Sequence, residues 1–220
     1  MKQKKELYIG FALLAAFSLW TLAVCLVNVE LIGPNGSQVG FATLNRAVHE
    51  WTGVNWTLYE ITDWLGLIPL ATVAGFAVTG LVQWIRRKHI FRVDRTILAL
   101  GVFYAAVAVS FVLFEVFPVN YRPVLIEGVL EASYPSSTTL LAITVLPTAI
   151  IALCRYMPNS ILRWSVCVFF ALLTAVLLIG RFVSGVHWTS DIIGGVLLGA
   201  GLILLWDATS REPKPIDEKN

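Results

Sequence analysis

Arg181, His187 and Asp191 stand in the order R-x5-H-x3-D within GRFVSGVHWTSDIIGG, a stretch that is otherwise mostly apolar. Charged and titratable side chains are expensive in a membrane segment, and those retained there have a partner or a task. His187 and Asp191 are four residues apart, so on a helix they share a face and the carboxylate can hold the imidazole. An oriented, neutral imidazole beside a guanidinium suits nucleophilic attack on a phosphoryl group. The competing reading is a buried structural His-Asp-Arg network.

Two further segments carry residues able to bind an anion. VNYRPVLIEG contains Arg122 and Pro123, and YPSSTT (134–139) leads into an apolar run. A proline followed by serines and threonines is good chemistry for a helix start, with Ser136 or Ser137 as the cap. The same start leaves backbone N–H groups that bind anions. Taken singly, an Arg-Pro is commonly a loop and a Pro-Ser-Ser commonly only a cap. Their weight depends on whether the elements between them bring all three to one place.

Those elements are membrane spans. Of 220 residues, 57% are hydrophobic and 14% charged, and the mean hydropathy is +0.77, which excludes an ordinary soluble or nucleic-acid-binding domain. Apolar runs long enough to cross a ~30 Å hydrocarbon core fall at about 7–28, 57–85, 96–117, 137–154, 164–183 and 189–206. The expected fold is therefore all-α: one six-helix transmembrane domain over 1–206, followed by a short polar tail, 207–220. The second run is longer than a span needs, so it tilts or begins as an interfacial segment.

Basic residues orient the bundle. Lys2, Lys4 and Lys5, then Arg86, Arg87, Lys88, Arg92 and Arg95, then Arg155 and Arg163, then Arg211, Lys214 and Lys219 all fall on one side of six spans. Only Arg46, Arg122 and Arg181 fall on the other. By the positive-inside rule both termini are cytoplasmic and the three motifs share the outer side. Glu30, Glu50, Glu60, Asp63, Glu115, Glu127 and Glu131 are outer-side in the same scheme. The first run is too long for a signal-peptide core and no small-residue cleavage site follows it, so it reads as a retained helix. Cys25, Cys154 and Cys167 fall in apolar runs and are expected as buried thiols. In the outer segment 29–56, Val39, Phe41, Leu44, Val48 and Trp51 recur at helical spacing, which predicts a short amphipathic interfacial helix acting as a lid without a ligand role. His49 then reads as an ordinary surface or interfacial histidine, and His89 lies on the opposite side.

These motifs resemble those of the type 2 phosphatidic acid phosphatase (PAP2) superfamily of integral membrane phosphatases, recognised by K-x6-R-P, P-S-G-H and S-R-x5-H-x3-D on six transmembrane helices. The third motif is matched at Arg181, His187 and Asp191, with Gly180 in place of serine. The first is matched at Arg122 and Pro123, with Glu115 in place of lysine. The second is matched at Pro135 and Ser136, with Ser137 and Thr138 in place of glycine and histidine. The resemblance implies that His187 is the nucleophile of a phosphohistidine intermediate and Asp191 its orienting partner. It further implies that Arg122, Arg181 and Ser136 bind phosphate, joined by N-terminal amides of the fourth span. Ser137, Thr138 and Glu115 would be auxiliary. No cofactor and no metal is expected, because the outer side offers no Asp/Glu/His ligand set beyond the His-Asp pair.

The replaced residues bear on substrate. In the family the missing histidine protonates the leaving oxygen, and threonine cannot do so; that help is worth ~10²–10⁴ in rate. A lipid alkoxide needs the proton, whereas a phosphate monoester, with a second pKa near ~6, leaves with little help. The expected substrate is thus a lipid phosphate, preferably a polyprenyl (undecaprenyl-type) diphosphate, hydrolysed at the outer face of a plasma membrane. The small size suggests a bacterial one. Arg46 is a candidate for the positive charge lost at 115. The alternative is a catalytically weak or silent relative that binds a phosphorylated lipid head group.

Overall fold

Inside lipid no water satisfies backbone N–H and C=O groups, so long apolar runs close their hydrogen bonds within themselves as helices. The computed structural model describes residues 2–211, and the expected Lys214 and Lys219 lie outside it. Among the described residues the order is α1 (Lys2–Leu26), α2 (Ala42–Thr52), α3 (Trp56–Leu65), α4 (Leu67–Arg87), α5 (Arg95–Val116), α6 (Ser137–Tyr156), α7 (Ile161–Val183) and α8 (Thr189–Ser210). Six helical runs are long and apolar enough to span a membrane, with α3 and α4 forming one of them, Trp56–Arg87. That run is broken at Gly66, whose amide bonds back to the carbonyls of Thr62 and Asp63 (3.0 Å each). The excess length is therefore a separate short helix, α3, that packs on α7.

α8 is the central helix, packed against α1 and α6. Glycines let the backbones approach: a Cβ on Gly10 would stand 3.2 Å from the Gly201 carbonyl, and one on Gly195 3.2 Å from the Ser136 carbonyl. Small residues of this kind are what transmembrane packing uses, since lipid supplies no hydrophobic drive between helices. α8 continues to Ser210, past the expected end at 206, because Asp207 is held by Arg155 (2.5 Å) and by Arg211, itself 2.9 Å from Glu6. Residues 212–220 of the expected tail lie outside the described residues.

These bonds, with Arg95 donating to the Thr209 carbonyl (3.3 Å) and Gln3 to that of Ala208 (2.7 Å), gather the N-terminus of α1, the α4–α5 turn, the end of α6 and the end of α8 at one end of the bundle. Arg122, Ser136, Arg181, His187 and Asp191 are at the other. The expectation for the cysteines fails in part. Cys167 is buried, but Cys25 and Cys154 are exposed on the outside of the bundle; an apolar span has a lipid-facing surface, so apolar neighbours in sequence do not bury a side chain.

Candidate active site

Each functional side chain is held by a different piece of backbone. Arg122 follows α5 in a loop folded back on itself, where its N–H donates to the Glu131 carbonyl (3.0 Å) beside an isolated bridge of Tyr121 to Ala132. Arg181 is in the last turn of α7 and Ser136 precedes α6. His187 lies in the short turn between α7 and α8, which begins at Gly185 with φ +67°. A Cβ there would fall 1.8 Å from the Gly53 carbonyl, so the turn needs glycine on both counts.

His187 and Asp191 do not share a helix face. His187 precedes α8, Trp188 is its N-cap, and Asp191 is the third helical residue, accepting the Trp188 N–H on Oδ2 (3.1 Å). The Nδ1 of His187 is 3.8 Å from the same oxygen, an electrostatic contact longer than a hydrogen bond. The cap outcompetes the helical pairing because a carboxylate at an N-terminus satisfies a backbone donor and meets the helix dipole. Asp191 is fully buried, with Oδ1 accepting from Asn120 Nδ2 (3.0 Å) and Ser190 Oγ (3.4 Å). Asn120 and Asn45 both donate to Ser190 Oγ (3.2 and 2.9 Å), which ties the outer segment into the layer behind Asp191.

Nε2 of His187 is 3.0 Å from Nη1 of Arg122. A guanidinium has donors only, so Nε2 accepts, and the proton of the neutral ring is on Nδ1, toward Asp191. Burial, and after it the charge of Arg122, holds the imidazole down at about 4, so it is neutral at pH 7. Arg122 Nε in turn meets Glu131 (2.9 Å). Together His187, Arg122, Glu115, Glu131, Ser133 and Ser137 line a cavity of about 200 Å³. It is a neutral nucleophilic nitrogen with a guanidinium resting on its lone pair, at the edge of a polar hollow.

Arg181 is 1% exposed. Its Nη2 donates to Asp63 Oδ1 (2.6 Å) and Thr138 Oγ1 (2.8 Å), and its guanidinium lies 4.7 Å from the ring centre of Tyr59. Its Nε and Nη1, and the buried Oγ of Ser136, find no partner among the described residues. A buried donor left unpaired costs about 1–3 kcal/mol, so these atoms mark where an acceptor with several oxygens would be favoured.

Residues 114–212 match the model of the PAP2 superfamily. Over this stretch the chain is similar to the PAP2 superfamily. The whole chain also has the fold of a solved structure described as a PAP2-type transmembrane phosphatidylglycerolphosphate phosphatase from Bacillus subtilis. The TM-score is 0.63 and the identity 20%, with 92% of this chain and 96% of that one covered. No curated protein matches. Superfamily and fold together support a membrane lipid phosphatase.

Set on the PAP2 motifs, the structure brings His187, Arg122, Ser137 and Glu115 to one cavity and sets Asp191 and Ser136 behind it. Ser136 is the N-cap of α6, yet its side chain makes no capping bond. Thr138 faces Arg181. Arg46 does not reach the cavity; it is exposed and paired with Glu30 (2.7 Å). The expected helix in 29–56 forms as α2, and Asn45 on it is buried in the Ser190 network behind Asp191. His49 is half-buried, its ring 5.4 Å from that of Trp188, because α2 leans on the His187 turn; His89 is at the opposite end, as expected. Sequence reasoning missed Asp63, Asn120 and Glu131 as neighbours of the PAP2 residues. One signal for Asp63 was present. Gly180, where the PAP2 pattern has serine, admits the Thr62 methyl to 2.5 Å from where its Cβ would be. That close approach of α3 brings the adjacent Asp63 onto Arg181.

Proposed function

We propose that this protein hydrolyses a lipid diphosphate at the outer face of a plasma membrane, its termini cytoplasmic, through a phosphohistidine on His187. The observation that carries the reading is the Arg122 Nη1 to His187 Nε2 contact of 3.0 Å, which identifies Nε2 as the nitrogen with the free lone pair. A terminal phosphate would take over the Arg122 guanidinium and so bare Nε2 to phosphorus. Attack forms the N–P bond and breaks the bridging P–O bond, and the lipid leaves as its monophosphate. The Nδ1–H faces Asp191, whose charge offsets the positive charge developing on the ring. Water then attacks phosphorus, releasing inorganic phosphate and restoring the imidazole. Phosphoryl transfer asks mainly for positioning and neutralisation of phosphate oxygens, and Arg122, Arg181 and Ser136 are suited to both.

The diphosphate preference follows from Thr138. Its hydroxyl is engaged by Arg181 (2.8 Å) and carries no acidic proton for an alkoxide. A monophosphate leaving group needs none. Glu115 on the cavity wall, where the PAP2 pattern has lysine, withholds a positive charge that turnover would use, and this favours the second reading, a protein that binds a phosphorylated head group through its arginines without turnover. Phosphate release from undecaprenyl diphosphate and from phosphatidic acid, with wild type and His187→Ala, separates the readings. Expected are faster release from the diphosphate, its loss in His187→Ala, and acid-labile label on His187. Faster turnover of phosphatidic acid, or release that survives His187→Ala, would refute the proposal.

A further inference from the structure

At the end of the bundle opposite His187, α4 and α5 diverge around a groove of about 360 Å³. Its wall includes Phe76, Gly80, Trp84, Ile90, Val93 and Gly101, with no charged residue. Glycines make the hollow. A Cβ on Gly80 would meet only Ile97, at 3.0 Å, and one on Gly101 would meet nothing within 4 Å. Glycine lowers helix propensity, and at these two positions it leaves room for an apolar chain.

The rim has a different character. Lys88 and Arg92 are exposed next to the lining residues Trp84, Ile90 and Val93, and their side chains have no partner among the described residues. Other arginines at this end are committed: Arg87 to Asp94 (2.7 Å), Arg95 to the Thr209 carbonyl, Arg155 to Asp207, Arg163 to Asn159 and Arg211 to Glu6. The turn that presents the free cations is also fixed. Gln83 Nε2 donates to Asp94 Oδ2 (2.7 Å) and accepts the Asp94 N–H on Oε1 (2.9 Å). Asp94, the acid of this turn, is neutralised by Arg87. Phe91 is 83% exposed at the tip, an aromatic at the depth where head groups lie.

An apolar slot roofed by unpaired cations matches one kind of molecule. We propose that this groove is a binding site for a single anionic phospholipid, one acyl chain lying between α4 and α5 and the phosphodiester held by Lys88 and Arg92. Guanidinium groups match phosphate oxygens in pairs, and basic pockets between helices are where acidic head groups dock. A zwitterionic lipid would fill the slot equally but bring its own cation to the rim.

The test is native mass spectrometry of the full chain, delipidated and re-equilibrated with phosphatidylglycerol or phosphatidylcholine of identical chains. Wild type should retain phosphatidylglycerol preferentially, as one tightly held molecule. Lys88→Asn and Arg92→Gln together should lower its retention by roughly fivefold per cation and leave phosphatidylcholine unchanged. Asn suits the left-handed backbone at Lys88, φ +57°. Gly101→Leu, placed in open space so that the fold is kept, should reduce retention of both lipids. Equal retention of the two lipids by wild type, or a preference that survives the double variant, would overturn the head-group assignment. Unchanged binding in Gly101→Leu would overturn the groove. None of these residues is near His187, so the result is independent of the proposed hydrolysis.

Discussion

The chain has three histidines, His49, His89 and His187, so the nucleophile can be titrated directly by NMR of protein labelled with ¹⁵N in the imidazole rings. Burial and Arg122 bring His187 from 6.5 to about 4, a difference worth about 3 kcal/mol between the two protonation states. At pH 5.5 an imidazole titrating at 4 is about 97% neutral, against about 9% for an unperturbed one. The folded value lies below the unfolded one, so the associated stability is complete above pH 6.5. It is lost as pH falls toward 4 and changes no further below that. Assignment comes from His49→Asn and His187→Ala. Arg122→Gln supplies the perturbation, removing a positive charge 3.0 Å from Nε2. The His187 midpoint should then rise from about 4 but stay below 6.5, because burial, the larger cause, remains. A wild-type midpoint at or above 6.5, or a midpoint that falls in Arg122→Gln, would refute the reasoning.

Glu115→Lys with Thr138→His restores the lysine and histidine of the motifs and should raise phosphatidic acid hydrolysis by on the order of 10²–10⁴; a folded double variant with no gain would mean the site no longer serves alkoxide departure. Gly185→Ala meets the Gly53 carbonyl at 1.8 Å as well as φ +67°, whereas Gly36→Ala meets φ +71° with nothing within 4 Å. Thermal unfolding should show Gly36→Ala losing only the ~1–2 kcal/mol of a left-handed residue and Gly185→Ala distinctly more, with phosphate release abolished; equal losses would contradict the crowded turn.

What could be read from the sequence depended on how far apart the informative residues lie. The six spans and the gathering of Arg122, Ser136 and the Arg181–Asp191 segment at one end followed from apolar run length and basic-residue placement, both local signals. The His187–Asp191 spacing pointed to the right pair with the wrong geometry, because four residues also fit a turn capped by the carboxylate. Asp63 and Arg181 are 118 positions apart, and nothing in the spacing of Asp63 sets it apart from other outer-side acids. Glu131 was equally hidden, since its contact with Arg122 depends on a loop folding back through two isolated bridges, Tyr121 to Ala132 and Ile126 to Val129. Asn45 sat in a segment whose amphipathic pattern is genuine: Leu44 and Trp51 do face outward. The pattern cannot tell that the polar face of α2 meets buried Ser190 instead of water.

The Asp63–Arg181 contact has a consequence for turnover. On the proposed reading, an incoming dianion at Nε and Nη1 meets a carboxylate already seated on Nη2 of the same guanidinium, and repulsion between the two anions loosens the carboxylate. The α3 carboxylate, 62% exposed in its side chain, is then freed into solvent and stays tethered beside the phosphate. Once the N–P bond has been hydrolysed, its return to Arg181 would expel inorganic phosphate. Such a site would resist product inhibition, giving up some ground-state affinity for faster emptying.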